Sequence, residues 1–171
     1  MKKEKFHSYR IGVISDTHIP RRSRSLPSII FEQFQGVDLI IHTGDLVDEV
    51  VLDDLSALAP VEAVAGNNDP LTVIQRFGWK RILEIGPWKI GMTHGHIGKA
   101  SSTPDCAFEM FANDQVDVIV FGHSHKPYLE ERNGILLFNA GSPTDRRRET
   151  QYSIGILTLD VKPQASWIKW S

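Results

Sequence analysis

The stretch "VDVIVFGHSH", residues 116–125, decides how the rest of the chain is read. Its apolar run, 116–121, is bounded by turn-forming residues, and a short run of this kind reads as a strand buried on both faces in a parallel sheet. Gly122 then releases the chain, and His123 and His125 follow with one serine between them. Residues two apart in an extended chain point to the same side, so the two imidazoles are expected to be offered together. The carboxyl end of a core strand is where open α/β sheets place their ligands.

Working outward, the same alternation recurs. Residues 10–15, "RIGVIS", read as a strand; Leu26, Ile30 and Phe34 stand at helical spacing; residues 37–42, "VDLIIH", read as the next strand, giving a βαβ opening. A second helix is expected from Asp48 as N-cap, with Val51, Leu55 and Leu58 on one face, leading to a strand at 61–65. A third follows "SSTP", with Pro104 in its first turn and Ala107, Met110 and Phe111 inward. Further strands are expected at 82–85, 88–93, 129–131, 135–139, 152–159 and 166–170, separated by turns such as "NG" and "GP". The fold class is therefore α/β, with two mixed β-sheets packed as a sandwich and flanked by helices. There is no repeat, low-complexity segment or Pro/Gly/Ser-rich linker, so 1–171 is read as a single domain.

Composition narrows the function classes. The 171 residues are 41% hydrophobic and 23% charged, which fits a globular protein and sets aside disordered and fibrous classes. A formal net charge of −2 gives no overall drive toward nucleic acid or a membrane surface, so any anion binding must be local. The single cysteine, Cys106, excludes an internal disulfide and a thiolate zinc ribbon and fits a reducing compartment. The opening "MKKEKFHSYR" lacks the apolar core of a secretory signal, and no run reaches the roughly 18 apolar residues of a membrane helix. Cytoplasmic residence is the expectation.

Five expected strand ends share one chemistry: "SDTH" (15–18), "TGD" (43–45), "GNND" (66–69), "THGH" (93–96) and "GHSH" (122–125). Taken singly, each is an ordinary cap or turn. Together they empty carboxylate, amide and imidazole groups into loops at one end of the sheets, with glycine at four of them, and solubility alone does not explain that. Imidazole and carboxylate with an amide oxygen and no thiolate suit borderline divalent ions such as Mn, Fe, Co, Ni or Zn better than Ca or Mg. Seven candidate ligands are too many for one ion, which points to two metals sharing a bridge. A carboxylate suits that place, and Asp45 is taken for it.

These blocks, D-x-H, G-D, G-N-x-D, H before glycine and G-H-x-H in that order over residues 16–125, resemble the calcineurin-like metallophosphoesterase superfamily. The wording "THGH" and "GHSH" and the short length are most similar to its compact bacterial and archaeal phosphodiesterase branch, itself similar to the metallophosphoesterase-fold scaffold subunit of retromer. The resemblance implies a helix-flanked β-sandwich. It also implies that Asp16, His18 and His125 hold one ion and Asn67, His94 and His123 another, with Asp45 between them. Asp45, Asn67, His94 and His96 are taken as the catalytic set. The implied reaction is in-line attack on phosphorus by a hydroxide bridging two divalent ions, with Mn favoured and Ni, Zn, Fe or Co suitable.

One position departs from the pattern. Many superfamily members carry histidine directly after the metal-binding asparagine, where it resembles a general acid; this chain has Asn68, which cannot deliver a proton near neutral pH. Proton delivery then falls to His96 or ordered water. Asp69 is expected to orient its loop. His42 is expected to pack against ligands, His7 to be solvated, and Cys106 to belong to the core. The basic clusters "RRSR" (21–24) and "RRR" (146–148) are read as solvated loops, Arg21 or Arg22 being the better placed to meet phosphate. Trp79, Trp88, Trp167 and Trp170 cover either a core edge or a subunit interface, and the latter would suit a homo-oligomer. The expected activity is a phosphodiesterase acting on a small, nucleotide-like phosphoester. The alternatives are a phosphomonoesterase, or a non-catalytic scaffold or interaction module on the same fold.

Overall fold

The computed structural model describes residues 6–171; residues 1–5, the start of the charged amino-terminal stretch, lie outside the described part. Two five-stranded sheets form the frame. The first contains β1 (Tyr9–Ile14), β2 (Leu39–His42), β3 (Val61–Ala63), β9 (Tyr152–Leu159) and β10 (Pro163–Trp170), in the order β10-β9-β1-β2-β3. The second contains β4 (Lys80–Ile85), β5 (Trp88–Thr93), β6 (Val118–Phe121), β7 (Tyr128–Arg132) and β8 (Ile135–Asn139), in the order β4-β5-β6-β8-β7. Strands β1, β2 and β3 run parallel, as do β5, β6 and β8, while β9, β10, β4 and β7 pair antiparallel with their neighbours. Both sheets are thus mixed, as expected.

The side-chain period of two explains the layers. In β1, Ile11 and Val13 face the space between the sheets and Ile14 faces the helices; in β2, Leu39 and Ile41 face inward and Ile40 outward. In β6, Val118 and Val120 join the inter-sheet core, while Ile119 and Phe121 join a third cluster beneath the helix α4 (Thr103–Met110). The buried stretches of these strands are apolar runs because both of their faces are covered. On the first sheet the cover is α1 (Ser28–Gln33), α2 (Val50–Ser56) and α3 (Leu71–Phe77), through Ile30, Val51, Leu55 and Val73.

Three details differ from expectation. Helix α2 starts at Val50, and Asp48 accepts the Val50 backbone N–H at 3.0 Å as a turn residue before the helix. Helix α3 has no counterpart in the sequence reading; Pro70 opens it, Val73 is its buried residue, and Gly78 at φ 68° ends it. Strand β10 begins at Pro163, which pairs with Leu159 across the hairpin.

All four tryptophans pack on core edges: Trp79 and Trp170 on the helix-covered cluster, Trp88 and Trp167 on the inter-sheet cluster. Those of β10 therefore do not form a free aromatic face. Cys106 is buried in α4 with Sγ 3.6 Å from the Ala100 carbonyl oxygen, and His7 is exposed. Among the described residues no helix is long and apolar enough to cross a membrane.

Phe34 is fully buried, with its ring against Gly12 of β1. Phe34→Ala should lower unfolding stability by about 3–5 kcal/mol, because the ring is lost and rigid strands cannot close the cavity; urea unfolding of the two proteins measures it.

Candidate metal centre

The parallel strands β1, β2, β5 and β6 all end on one side, and the loops that leave them are stitched together by backbone hydrogen bonds. Asp16 N–H donates to Gly44 O at 3.0 Å, His18 N–H to Asp45 O at 3.0 Å, and Gly122 N–H to His94 O at 2.9 Å. Two glycines permit this closeness. A Cβ on Gly44, whose φ is 101°, would lie 2.8 Å from His94 Nδ1, and one on Gly122 would lie 2.7 Å from Asp16 Oδ2. Eight described non-glycine residues have positive φ, and five of them are Asp16, His18, Asp45, His123 and His125. Such strain concentrates at functional sites. It also corrects the extended-chain reading of "GHSH": His123 and His125 reach the centre from left-handed turns, not as alternate residues of a strand.

The geometry brings the sequence-derived ligands together in two groups. Asp16, His18 and His125 form one and Asp16, Asp45 and His94 the other, with ligand atoms within 4.8 Å of each other in each group. Asp16, expected on one side only, is common to both. Its Oδ1 lies 3.4 Å from His125 Nε2 and 3.6 Å from His94 Nε2, while Asp45 Oδ2 lies 3.5 Å from His18 Nε2 and 3.2 Å from His94 Nε2. Asn67 and His123 meet at the rim, Oδ1 to Nδ1 at 3.1 Å, and the His123 ring sits edge-on to His94 with centroids 5.2 Å apart.

Three observations fit this set to divalent cations. Asp16 Oδ1 and His94 Nε2 are buried and have no hydrogen-bond partner. The imidazole nitrogens His18 Nε2 and His125 Nε2 face each other at 3.2 Å, an arrangement that a shared cation would satisfy. The far side of two rings is anchored: His94 Nδ1–H donates to Thr43 O at 2.8 Å and His125 Nδ1–H to Asp145 O at 2.5 Å, which turns each Nε2 toward the centre, where a cation would take its lone pair in place of a proton.

Supporting residues were only partly legible in the sequence. Asp69 orients the loops as expected: its carboxylate accepts the N–H groups of Asp45, Val47 and Gly66 at 2.7–2.8 Å. His42 accepts the Gly44 N–H on Nδ1, so its Nε2–H donates to Thr17 Oγ1 at 3.1 Å and the ring is neutral. Asn68 grips Asp45 with both backbone and side-chain N–H, each at 2.8 Å, on the two carboxylate oxygens. The loop after β8 went unrecognised: Ser142 donates to Asp16 O at 2.8 Å, Thr144 to Thr17 O at 2.6 Å, and Asp145 holds His125. Its signal was available, since "NAGSPTD" (139–145) follows a strand with the same polar punctuation as the other five. Arg22 pairs with Asp145 at 3.2 Å, while Arg147 donates to His123 O at 3.4 Å.

Electrostatics follow from burial of the two carboxylates. Burial alone would lower the His94 pKa, but Asp16 and Asp45 on its Nε2 outweigh it and raise it to about 9. Asp45 is held well below the carboxylate range by His94 and Asn68 against the effect of burial. Burial pushes His42 and His96 down to about 4, and lowers His123 and His125, with Arg147 adding to the effect on the last two.

Residues 9–162 match the calcineurin-like phosphoesterase superfamily domain. The chain belongs to that superfamily. It is 43% identical over 162 residues to a probable metallophosphoesterase of Methanocaldococcus jannaschii, covering 92% of this chain and 80% of that protein. It is 30% identical over 146 residues to a phosphodiesterase of the same organism, covering 77% and 82%. Among solved structures, Vacuolar Protein Sorting 29 of Cryptosporidium parvum superposes with a TM-score of 0.78 at 22% identity, covering 96% of this chain and 98% of that one, a likeness of fold.

The histidine shifts give a pH profile for chelator-treated protein. His94 binds its proton more tightly folded than unfolded, so its contribution to stability is complete below about 6.5 and is lost as pH rises through about 9. His42 and His96 bind protons more weakly folded, so stability also falls as pH drops from about 6.5 through about 4. Melting temperature should peak near pH 6.5, and added Mn should raise it most on the alkaline side, where no proton on His94 competes. Thermal scans across pH with and without Mn measure both.

Proposed function

We propose that this chain is a phosphodiesterase dependent on two divalent cations, Mn being favoured and Ni, Zn, Fe or Co suited to the same donors, and that it acts on a small, nucleotide-like phosphoester. The observation that carries the reading is the pair of buried ligand groups sharing Asp16, with Asp16 Oδ1 and His94 Nε2 unpaired between them. Asp16, His18 and His125 would hold one cation, and Asn67, His94 and His123 the other. Asp45, in contact with one imidazole from each set, would lie between them. Bound there, two such ions polarise phosphoryl oxygens and make water a stronger nucleophile at neutral pH.

The chain's own groups do the rest. Asn67 stands exposed at the rim, where its amide can present oxygen inward and keep N–H for a phosphate oxygen, as a carboxylate could not. His96, with Nδ1 unpaired and its ring 5.4 Å from that of His94, is the side chain positioned to donate a hydrogen bond to the leaving oxygen. Trp79, edge-on to His96 at 4.9 Å, fixes that ring. Asn68, in the place of a general acid, holds Asp45 instead, which suits esters whose leaving groups need little protonation. That favours diesters over alkyl monoesters, in line with the similarity to a protein named phosphodiesterase. The lone buried cysteine agrees with a reducing, cytoplasmic setting.

Metal-stripped protein reloaded with Mn should cleave bis(p-nitrophenyl) phosphate faster than p-nitrophenyl phosphate, and Asp45→Asn should reduce the diester rate by about 100-fold or more while the fold survives. Dominant monoester cleavage would move the substrate class. Folded protein that no metal activates would leave the scaffold reading standing. Asn68→Ala removes the side-chain donor on Asp45 Oδ2 and keeps the backbone N–H on Oδ1, and should weaken metal affinity or activity by about 10- to 100-fold; calorimetric Mn titration checks it.

A further inference from the structure

The reaction above accounts for the ligand loops but not for the positive charge beside them. The loop after β8 carries Arg146, Arg147 and Arg148, and with Ser124, Lys126 and Glu149 it lines a groove of about 620 Å³. Ser124 and Lys126 also line a second hollow of about 330 Å³ that reaches the start of α4. Both therefore flank the loop that carries His123 and His125.

The cations of the groove have unequal tasks. Arg146 is used internally: Nη1 donates to Thr150 O at 2.7 Å and its guanidinium lies 5.3 Å above the Tyr152 ring. Lys126, Arg147 and Arg148 are exposed, and none of them has a carboxylate within 4.0 Å among the described residues. Glu149 is the one acid in the lining. Arg147 is fixed next to the centre by its 3.4 Å bond to the His123 carbonyl and by a backbone φ of 49°, unusual for a residue other than glycine. In a chain of net charge −2, three unpaired cations around one groove are a local departure from the whole.

We propose that this groove is a subsite for a second phosphate, so that the preferred substrate is a phosphodiester bearing a further phosphate group, such as a phosphorylated nucleotide ester. Guanidinium groups suit that task because their paired N–H donors match phosphate oxygens, and Lys126 adds a mobile point charge. The subsite rests on the phosphodiesterase reading for its biological sense, but its ligand chemistry can be tested without turnover.

The test is calorimetric titration of the full-length protein as purified, with thymidine 3′,5′-bisphosphate beside thymidine 5′-monophosphate. The bisphosphate should bind at least about tenfold more tightly, and Lys126→Ala/Arg148→Ala should abolish that advantage while its melting temperature matches that of the parent. Equal affinity for the two nucleotides, or an advantage that survives the double substitution, overturns the subsite. Hydrolysis of bis(p-nitrophenyl) phosphate, which has no second phosphate, judges the diesterase reading separately.

Discussion

The rest of the structure is arranged around the burial of two carboxylates. Asp16 is fully buried and Asp45 almost so, and an isolated carboxylate taken from water into such surroundings would neutralise itself by taking up a proton. Here the opposite is favoured: the His94 imidazole and the Asn68 donors keep Asp45 ionised, and His94 gains proton affinity in return. Two negative charges facing His18, His94 and His125 make a centre whose charge balance calls for cations. That is the physical content of a metal site, expressed in the protein's own groups.

Such a centre cannot be built from side chains alone, and the sheets supply its rigidity. The candidate ligands come from loops after β1, β2, β3, β5 and β6, strands whose faces are filled by the inter-sheet core and by helix-packed clusters. Backbone hydrogen bonds between the loops, together with the Asp69 carboxylate collecting three N–H donors, lock them against one another. The five candidate ligand residues held at positive φ each carry strain on the order of 1–3 kcal/mol, which only an over-determined surrounding maintains. Ser142 and Thr144 on the carbonyls of Asp16 and Thr17, and Asn139 on that of Gly122, brace the same loops further.

How much of this was legible depends on which period carried the signal. Strands buried on both faces announce themselves as apolar runs, and "VDVIVF" and "VDLIIH" were placed within two residues of β6 and β2. Helix α3 was not, because its seven residues bury only Val73 and give little amphipathic contrast. The candidate ligands stood out because metal chemistry restricts residue type, whereas the parts played by Asn68 and Asp145 did not: one acts on a carboxylate 23 positions earlier and the other through a backbone carbonyl 20 positions from His125. A backbone acceptor leaves no mark in the sequence.

The position of Asn68 shows why departures from a pattern need geometry to be interpreted. Read as a missing acid, it lowers the expected proton-transfer power of the site; in place, its two donors shape the charge of Asp45 at the meeting point of both ligand sets. The same side chain cannot hold that carboxylate and carry a transferable proton. In the proposed reaction, a site built this way gives up assistance to the leaving group in exchange for a better-fixed anion, and it would favour esters that leave readily. In the proposed subsite the unpaired cations beside His123 would act in the same direction, because recognition that cannot come from protonating the leaving oxygen can come from gripping a charged group further along the substrate.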